Sequence, residues 1–92
     1  MAIVLGMMSS KGGAGKSTIT KLLASAFAFT GNRCLIIDLD PNRDIVKWWS
    51  TANETGNADA NIIVRAATES QELFDLVDQY EDAVNFILID TK

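Results

Sequence analysis

The sequence contains one cysteine, Cys34, one proline and no histidine. A single cysteine cannot form an internal disulfide, and a chain without histidine supplies neither a Cys/His zinc site nor a Ser-His-Asp triad. No apolar run approaches the ~18 residues of a membrane span, and the first residues lack the basic region of a secretory signal. We therefore expect a cytoplasmic protein that makes no membrane contact, with Cys34 as a small core residue.

The composition is that of a globular protein, with 48% hydrophobic and 22% charged residues, and the 92-residue length allows at most one domain. Residues 1–50 carry six Lys/Arg and three Asp, whereas residues 51–92 carry two Lys/Arg and nine Asp/Glu. The net charge of −4 argues against a basic nucleic-acid footprint overall. The first half nevertheless keeps positive charge that an anion can use.

Apolar runs and helical periodicity alternate along the chain. The runs predict buried strands at Ala2–Met8, Cys34–Leu39, Ile62–Val64 and Phe86–Ile89. Between them lie three apolar stripes with helical spacing: Ile19, Leu22, Leu23, Ala26 and Phe27; Ile45, Trp48, Trp49 and Ala52; Leu73, Leu76, Val77 and Tyr80. The order β-α-β-α-β-α-β predicts an α/β fold, a parallel sheet flanked by helices on both faces. Residues that follow the strands should converge on one rim, where such sheets bind ligands.

A glycine-rich loop, Ser9–Gly15, joins the first strand to the first helix. Residues 11–18 match the pattern K-G-G-x-G-K-[ST] in full, whereas G-x-x-x-x-G-K-[ST] is missed because Ser10 replaces its first glycine. Glycines let backbone N–H groups point at an anion, and the helix start adds its positive dipole end. Lys16 can then reach phosphate oxygens, and the Ser17 hydroxyl can ligate Mg²⁺.

Chance gives this pattern in a chain of this length about once in a hundred thousand. Two other interpretations remain open. The loop could be a glycine-rich turn with solvated lysines. It could also be a dinucleotide-binding loop, Gly13-x-Gly15-x-x-Thr18, although that pattern lacks its third glycine.

Carboxylates follow two of the other strands. Asp38 and Asp40 stand at i and i+2 after the second strand and share a face, so their charges repel unless a cation such as Mg²⁺ lies nearby. Asp40-Pro41 also fits the N-cap and first position of the second helix. Asp90 ends the fourth strand, where a solvent-facing aspartate is the alternative interpretation.

These motifs resemble the deviant Walker A family of ParA/MinD-type P-loop ATPases, and most of all the small plasmid-partition ParA proteins. In that family, K-G-G-x-G-K-[ST] is followed one βαβ unit later by D-x-D-P-Q and then a tryptophan. Here residues 38–42 read Asp-Leu-Asp-Pro-Asn, with Asn42 in place of Gln, and Trp48 follows. The resemblance implies that residues 1–92 form the N-terminal part of a single P-loop ATPase domain, truncated after the Walker B strand.

The resemblance implies roles for the loop residues. Lys16 is similar to the phosphate-binding lysine, Ser17 to the Mg²⁺ ligand and Thr18 to an α-phosphate contact. Lys11 resembles the signature lysine that reaches the partner's phosphates across a nucleotide-sandwich dimer. The implied nucleotide-binding set is Gly12, Gly13, Ala14, Gly15, Lys16, Ser17 and Thr18.

The carboxylates complete the implied site. Asp40 resembles the residue that positions the attacking water, which makes Lys11, Lys16 and Asp40 the implied catalytic residues. Asp38 resembles its neighbour near Mg²⁺, and Asp90 resembles the Walker B carboxylate that holds Mg²⁺ through water. The implied metal residues are therefore Ser17, Asp38 and Asp90.

The function implied by the resemblance is ATP binding and hydrolysis, with Mg²⁺, in plasmid or chromosome segregation. Such proteins form a homodimer on ATP binding, respond to a centromere-binding partner protein and bind non-specific DNA, through a region that would lie beyond residue 92. The family sheet order, 3-2-4-1-5, implies that the first strand is an edge here. The alternative is a catalytically incompetent fragment that binds nucleotide weakly or interferes with a full-length relative.

Overall fold

The computed structural model of the chain describes residues 2–7 and 16–91. This part of the chain contains four strands, β1 (Ile3–Met7), β2 (Cys34–Asp38), β3 (Ile62–Ala66) and β4 (Phe86–Asp90). Its three helices are α1 (Lys16–Phe29), α2 (Asp44–Glu54) and α3 (Ser70–Tyr80). None of these helices combines the length and the apolar character needed to cross a membrane.

The described strands form one sheet in the order β1-β4-β2-β3, and every neighbouring pair is parallel. Consecutive strands are joined through a helix, as parallel pairing requires. The strands end in register, so that Asp38 lies between Ala66 on β3 and Asp90 on β4. The predicted α/β class and the contiguous strand order are confirmed.

Side-chain alternation along β2 and β4 divides the apolar residues between the two faces of the sheet. All five residues of β2 are buried, as expected for a strand covered on both sides. The core under α1 and α2 includes Ala24, Cys34, Ile36, Ile45 and Leu88. The core under α3 includes Leu35, Ile37, Val84 and Ile87. Asp38 lies on the same face of the sheet as Cys34, and Asp90 lies on the same face as Leu88. Both aspartate side chains therefore point to the face that carries α1.

α1 packs on the sheet only partly through its predicted apolar stripe, because Leu23 and Phe27 contact the core but the fully buried positions are others. Its buried positions are spaced four apart, at Lys16, Thr20, Ala24 and Ala28. Ile19 and Leu22 are 57% and 65% exposed. The predicted stripe is therefore wrong for Ile19, Leu22 and Ala26, which is also exposed. Small alanine side chains allow close approach to the sheet, and the polar ends of Lys16 and Thr20 find partners at the helix start.

β1 is more exposed than the apolar run predicts. The prediction of a fully buried strand over Ala2–Met8 is wrong, because Ala2 lies outside β1 and Ile3 and Val4 are 56% and 46% exposed; Met8 lies outside the described residues. Within the described residues β1 pairs only with β4, so one edge of the strand has no strand beside it. An apolar edge of this kind favours association.

Cys34 offers a test of the core. The residue is completely buried, and burial raises the pKa of its thiol to about 12. Because the thiolate is the reactive form, we expect a thiol reagent to label the folded protein about a hundredfold more slowly than the protein in guanidinium chloride. The kinetics of reaction with a disulfide reagent at pH 8 measure this difference. Equal rates in the two conditions would contradict the buried position.

Candidate functional site

Lys16 is the first residue of α1, and its side chain is directed inward. The predicted roles of Lys11, Gly12, Gly13, Ala14 and Gly15 fall on residues 8–15, which lie outside the described residues. Lys16 is 6% exposed, and its carbonyl accepts a hydrogen bond from Thr20 Oγ1 at 2.9 Å within the first turns of the helix. The inward direction places the ammonium group against the carboxyl ends of the sheet.

The Lys16 ammonium lies between two carboxylates. Its Nζ is 3.6 Å from Asp40 Oδ2 and 3.5 Å from Asp90 Oδ1. Asp38, the register neighbour of Asp90 on β2, adds a third acidic side chain to the same rim. Among the described residues, Lys16 is the cation that pairs with the carboxylates of this rim, so the cluster has more acidic than basic side chains.

Asp90 is the group in this cluster whose charge is least well compensated. Asp90 is fully buried, and neither of its carboxylate oxygens has a well-formed hydrogen bond among the described residues. The 3.5 Å contact with Lys16 is an ion pair at the outer limit of hydrogen-bond distance. Burial raises the pKa of Asp90 above its ordinary value; Lys16 opposes this shift, and the nearby Asp38 and Asp40 add to it.

Asp38 is equally buried, but its oxygens are occupied. Oδ1 accepts a hydrogen bond from the backbone N–H of Asp40 at 3.0 Å, and Oδ2 accepts one from the N–H of Val46 at 3.3 Å. The carboxylate thereby ties the end of β2 to the first turn of α2. This geometry gives Asp38 a positioning function for Asp40, while its predicted proximity to Mg²⁺ stays a prediction.

Asp40 lies in a turn ahead of α2 and does not cap that helix. The expectation that Asp40-Pro41 forms the N-cap and first position is wrong, because α2 begins at Asp44 with Arg43 as its N-cap. Asp40 Oδ1 accepts a hydrogen bond from the N–H of Asn42 at 2.9 Å, which leaves Oδ2 directed toward Lys16. The turn therefore presents Asp40 to the rim.

Arg43 is the residue of this region that the sequence did not single out. It adopts φ 55°, and its guanidinium donates to the carbonyls of Asp38 and Ala67 and to Thr68 Oγ1. Glycine or asparagine is the usual sequence signal for positive φ. An arginine gives no such signal, so the pattern of the sequence could not have found it.

Ser17 and Thr18 lie on the outer side of the first turn of α1. Both line a groove of about 720 Å³ between α1 and α2, together with Lys21 and Trp48. Their predicted contacts, with Mg²⁺ and with an α-phosphate, remain predictions. At the helix start, Lys16 contacts the carboxylates, and Ser17 and Thr18 line the adjoining groove.

The predicted Mg²⁺ ligands do not by themselves form an enclosed metal site. Within residues 2–7 and 16–91, no group of three His, Cys, Asp or Glu side chains lies close enough to enclose a metal ion. Mg²⁺ is usually held by one or two carboxylates, with phosphate oxygens and waters completing its shell. The uncompensated oxygens of Asp90 and the hydroxyl of Ser17 are the groups suited to that task.

A buried lysine at a helix start, beyond the carboxyl ends of a parallel sheet, defines a nucleotide-binding α/β domain. Comparison with known families supports this assignment, because residues 5–87 match the CobQ/CobB/MinD/ParA nucleotide binding domain. The chain belongs to this family. The resemblance on which the site assignments were based is therefore confirmed at the level of the family.

Comparisons with individual proteins are consistent with this family. The chain is similar to the VirC1 protein of Rhizobium radiobacter, with 32% identity over 98 residues, 97% of this chain and 39% of the relative. It is also similar to ParA of Rhizobium radiobacter, with 31% identity over 89 residues, 97% of this chain and 38% of the relative. The structure of pNOB8 ParA bound to nonspecific DNA shares the fold at a TM-score of 0.70 and 20% identity, over 100% of this chain and 46% of that chain. The chain thus spans less than half the length of each.

The raised pKa of Asp90 predicts how stability depends on pH. The folded state binds this proton more tightly than the unfolded state does, so the free energy of unfolding should rise as the pH falls from neutral through the raised pKa. Replacing Asp90 by asparagine removes the buried charge. We therefore expect Asp90→Asn to raise the Tm of the ligand-free protein at pH 7 and to flatten this pH dependence, as measured by thermal melts followed by circular dichroism.

Asp78→Asn is the matched control, because Asp78 is an exposed carboxylate on α3. It should leave both the Tm and its pH dependence close to those of the wild type. A lower Tm for Asp90→Asn at pH 7 would show instead that the ion pair with Lys16 outweighs the burial of the Asp90 charge.

Proposed function

We propose that the protein binds and hydrolyses ATP with Mg²⁺ and acts as a ParA-like partition protein. The observation that carries this proposal is the position of Lys16, at the start of the helix that follows the glycine-rich loop and within 3.6 Å of two carboxylates on the rim of the sheet. A lysine at the start of such a helix is placed to bind phosphate.

Lys16 is the residue that binds the phosphates in this proposal. In the structure, its ammonium is paired with Asp40 and Asp90. When the β- and γ-phosphates arrive beside the start of α1, Lys16 exchanges these carboxylate contacts for phosphate oxygens. The exchange leaves Asp90 buried without a partner of opposite charge, so phosphate binding alone is unfavourable for that side chain.

Mg²⁺ bound at this rim would supply the missing positive charge and would stabilise negative charge on the phosphate oxygens. Asp90 would hold the ion through water, and the Ser17 hydroxyl would ligate it directly. Asp38 contributes from a distance, since its two oxygens fix the backbone of the turn that carries Asp40.

Asp40 orients the water that attacks the γ-phosphate. Its side chain is about one-fifth exposed, at 19%, so a water molecule can reach it from the rim. The hydrogen bond from Asn42 N–H to Oδ1 fixes the carboxylate plane, and Oδ2 is directed toward the phosphate-binding lysine. A water bonded to Oδ2 then lies on the side of Lys16 where the γ-phosphate binds.

The remaining elements of the proposal come from the family. The chain corresponds to the N-terminal part of one ATPase domain, and its ATP-bound form is a homodimer in which Lys11 reaches the phosphates of the partner. A centromere-binding protein stimulates the cycle, and non-specific DNA is a further partner. The expected location is the bacterial cytoplasm, at the nucleoid.

Two substitutions separate binding from turnover. Lys16→Ala should weaken the binding of ATP and Mg²⁺ by about a hundredfold or more, since it removes the charged phosphate ligand. Asp40→Ala should reduce kcat by about a hundredfold with a small effect on affinity, because the water loses its orientation. Calorimetry and phosphate release from the purified chain measure the two effects.

Matched controls lie outside the groove beside α1. Arg33→Ala, just before β2, and Asp75→Asn, on α3, alter exposed charged groups and should change neither quantity more than about twofold. Turnover that survives both Lys16→Ala and Asp40→Ala would contradict the proposed site. Binding without turnover in the wild type would favour the alternative, a nucleotide-binding chain that is catalytically incompetent.

A further inference from the structure

Arg43 joins three segments beside the candidate site. Nη1 donates to the carbonyl of Asp38 at the end of β2 and, at 3.1 Å, to the carbonyl of Ala67 just after β3. Nη2 donates to Thr68 Oγ1 at 3.1 Å. The backbone N–H of Arg43 also donates to the carbonyl of Asp40 at 3.0 Å. One residue therefore connects the turn that contains Asp40 to two neighbouring strand ends.

The backbone of Arg43 is held in a conformation that its side chain type disfavours. Its φ of 55° and ψ of 37° lie in the left-handed region, and it is the only non-glycine residue with positive φ among those described. Strain of this kind persists where the surrounding contacts fix it. The guanidinium bonds supply such contacts here, and the strained residue directly follows the Asp40 turn.

The direction of the guanidinium distinguishes positioning from direct catalysis. Among the described residues, the hydrogen bonds of the guanidinium go to the end of β2 and to the segment after β3, and none goes to a carboxylate of the rim. A planar guanidinium matches several fixed acceptors at once, whereas an ammonium group is a point donor. Arg43 is therefore built to hold backbone groups in place.

We propose that Arg43 is a positioning residue for Asp40, which fixes the water-orienting turn by anchoring it to the segment after β3. The inference rests on the proposed function, because Asp40 is assigned to the attacking water there. It adds a residue that acts through Asp40 without touching the nucleotide. Loss of the anchor should affect the reaction step more than it affects phosphate binding at Lys16.

Arg43→Lys tests this inference, because it keeps the positive charge and loses the planar set of donors. Arg65→Lys is the matched control, since Arg65 is an exposed arginine on β3 whose guanidinium donates to the carbonyl of Val64 at 2.9 Å and lies over the rings of Trp49 and Tyr80. We expect Arg43→Lys to lower kcat by about tenfold or more while KM for ATP with Mg²⁺ changes less than about twofold. Arg65→Lys should change neither constant.

Hydrogen exchange provides a second measurement that needs no activity. The amide of Asp40 donates to Asp38 Oδ1, and the amide of Ala67 donates to the carbonyl of Asp38 at 3.1 Å. Both should exchange faster in Arg43→Lys and remain unchanged in Arg65→Lys, with the amides of central β2 unaffected in both. Equal acceleration in the two variants, or none in Arg43→Lys, would overturn the positioning role.

The two measurements distinguish the failure of each proposal. A wild-type chain without Asp40-dependent hydrolysis would contradict the proposed function, and hydrogen exchange would then decide whether Arg43 anchors the turn. An active wild type in which Arg43→Lys lowers affinity and kcat together, or lowers neither, would overturn the inference and leave the proposed function intact.

Discussion

The site depends on one buried cation, the ammonium of Lys16, which lies between Asp40 and Asp90 at the start of α1. Because burial disfavours an isolated charge, the lysine and the carboxylates can occupy the rim only together. The compensation of the carboxylate charges is incomplete, since neither oxygen of Asp90 has a well-formed hydrogen bond in the described part of the chain. This shortfall of positive charge makes the rim suited to a phosphate that arrives with its own cation.

The parallel sheet produces this arrangement from short-range rules. Because β2 and β4 end in register, Asp38 and Asp90 become neighbours, and alternation directs both to the face covered by α1. The two side chains are then used differently. Asp38 satisfies its oxygens with backbone N–H groups and orders the turn, whereas Asp90 remains available. The turn at Asp40 is thus held by the hydrogen bond to the Asp38 carboxylate on one side and by the hydrogen bond from the Arg43 backbone on the other.

The sequence predicted the element order, the sheet class and the convergence of Lys16, Asp38, Asp40 and Asp90, because each depends on local periodicity and on position after a strand. It predicted the buried face of α1 only in part, since Leu23 and Phe27 contact the core, but small and polar residues are the fully buried ones while Ile19 and Leu22 are exposed. The start of α2 was misplaced because Asp-Pro is a strong helix-start signal. The structure instead forms a turn there, anchored by long-range bonds from Arg43 to Ala67 and Thr68.

The central claim is that Lys16 exchanges its carboxylate partners for phosphate, so that the rim needs a divalent cation when nucleotide binds. Calorimetric titration of ATP into the wild-type chain, with Mg²⁺ and then with a chelator, tests this claim most directly. The account predicts that ATP binds at least about tenfold more tightly in the presence of Mg²⁺. Equal affinities in the two conditions would contradict the central claim. They would show that the carboxylates are not destabilised when Lys16 moves to the phosphate.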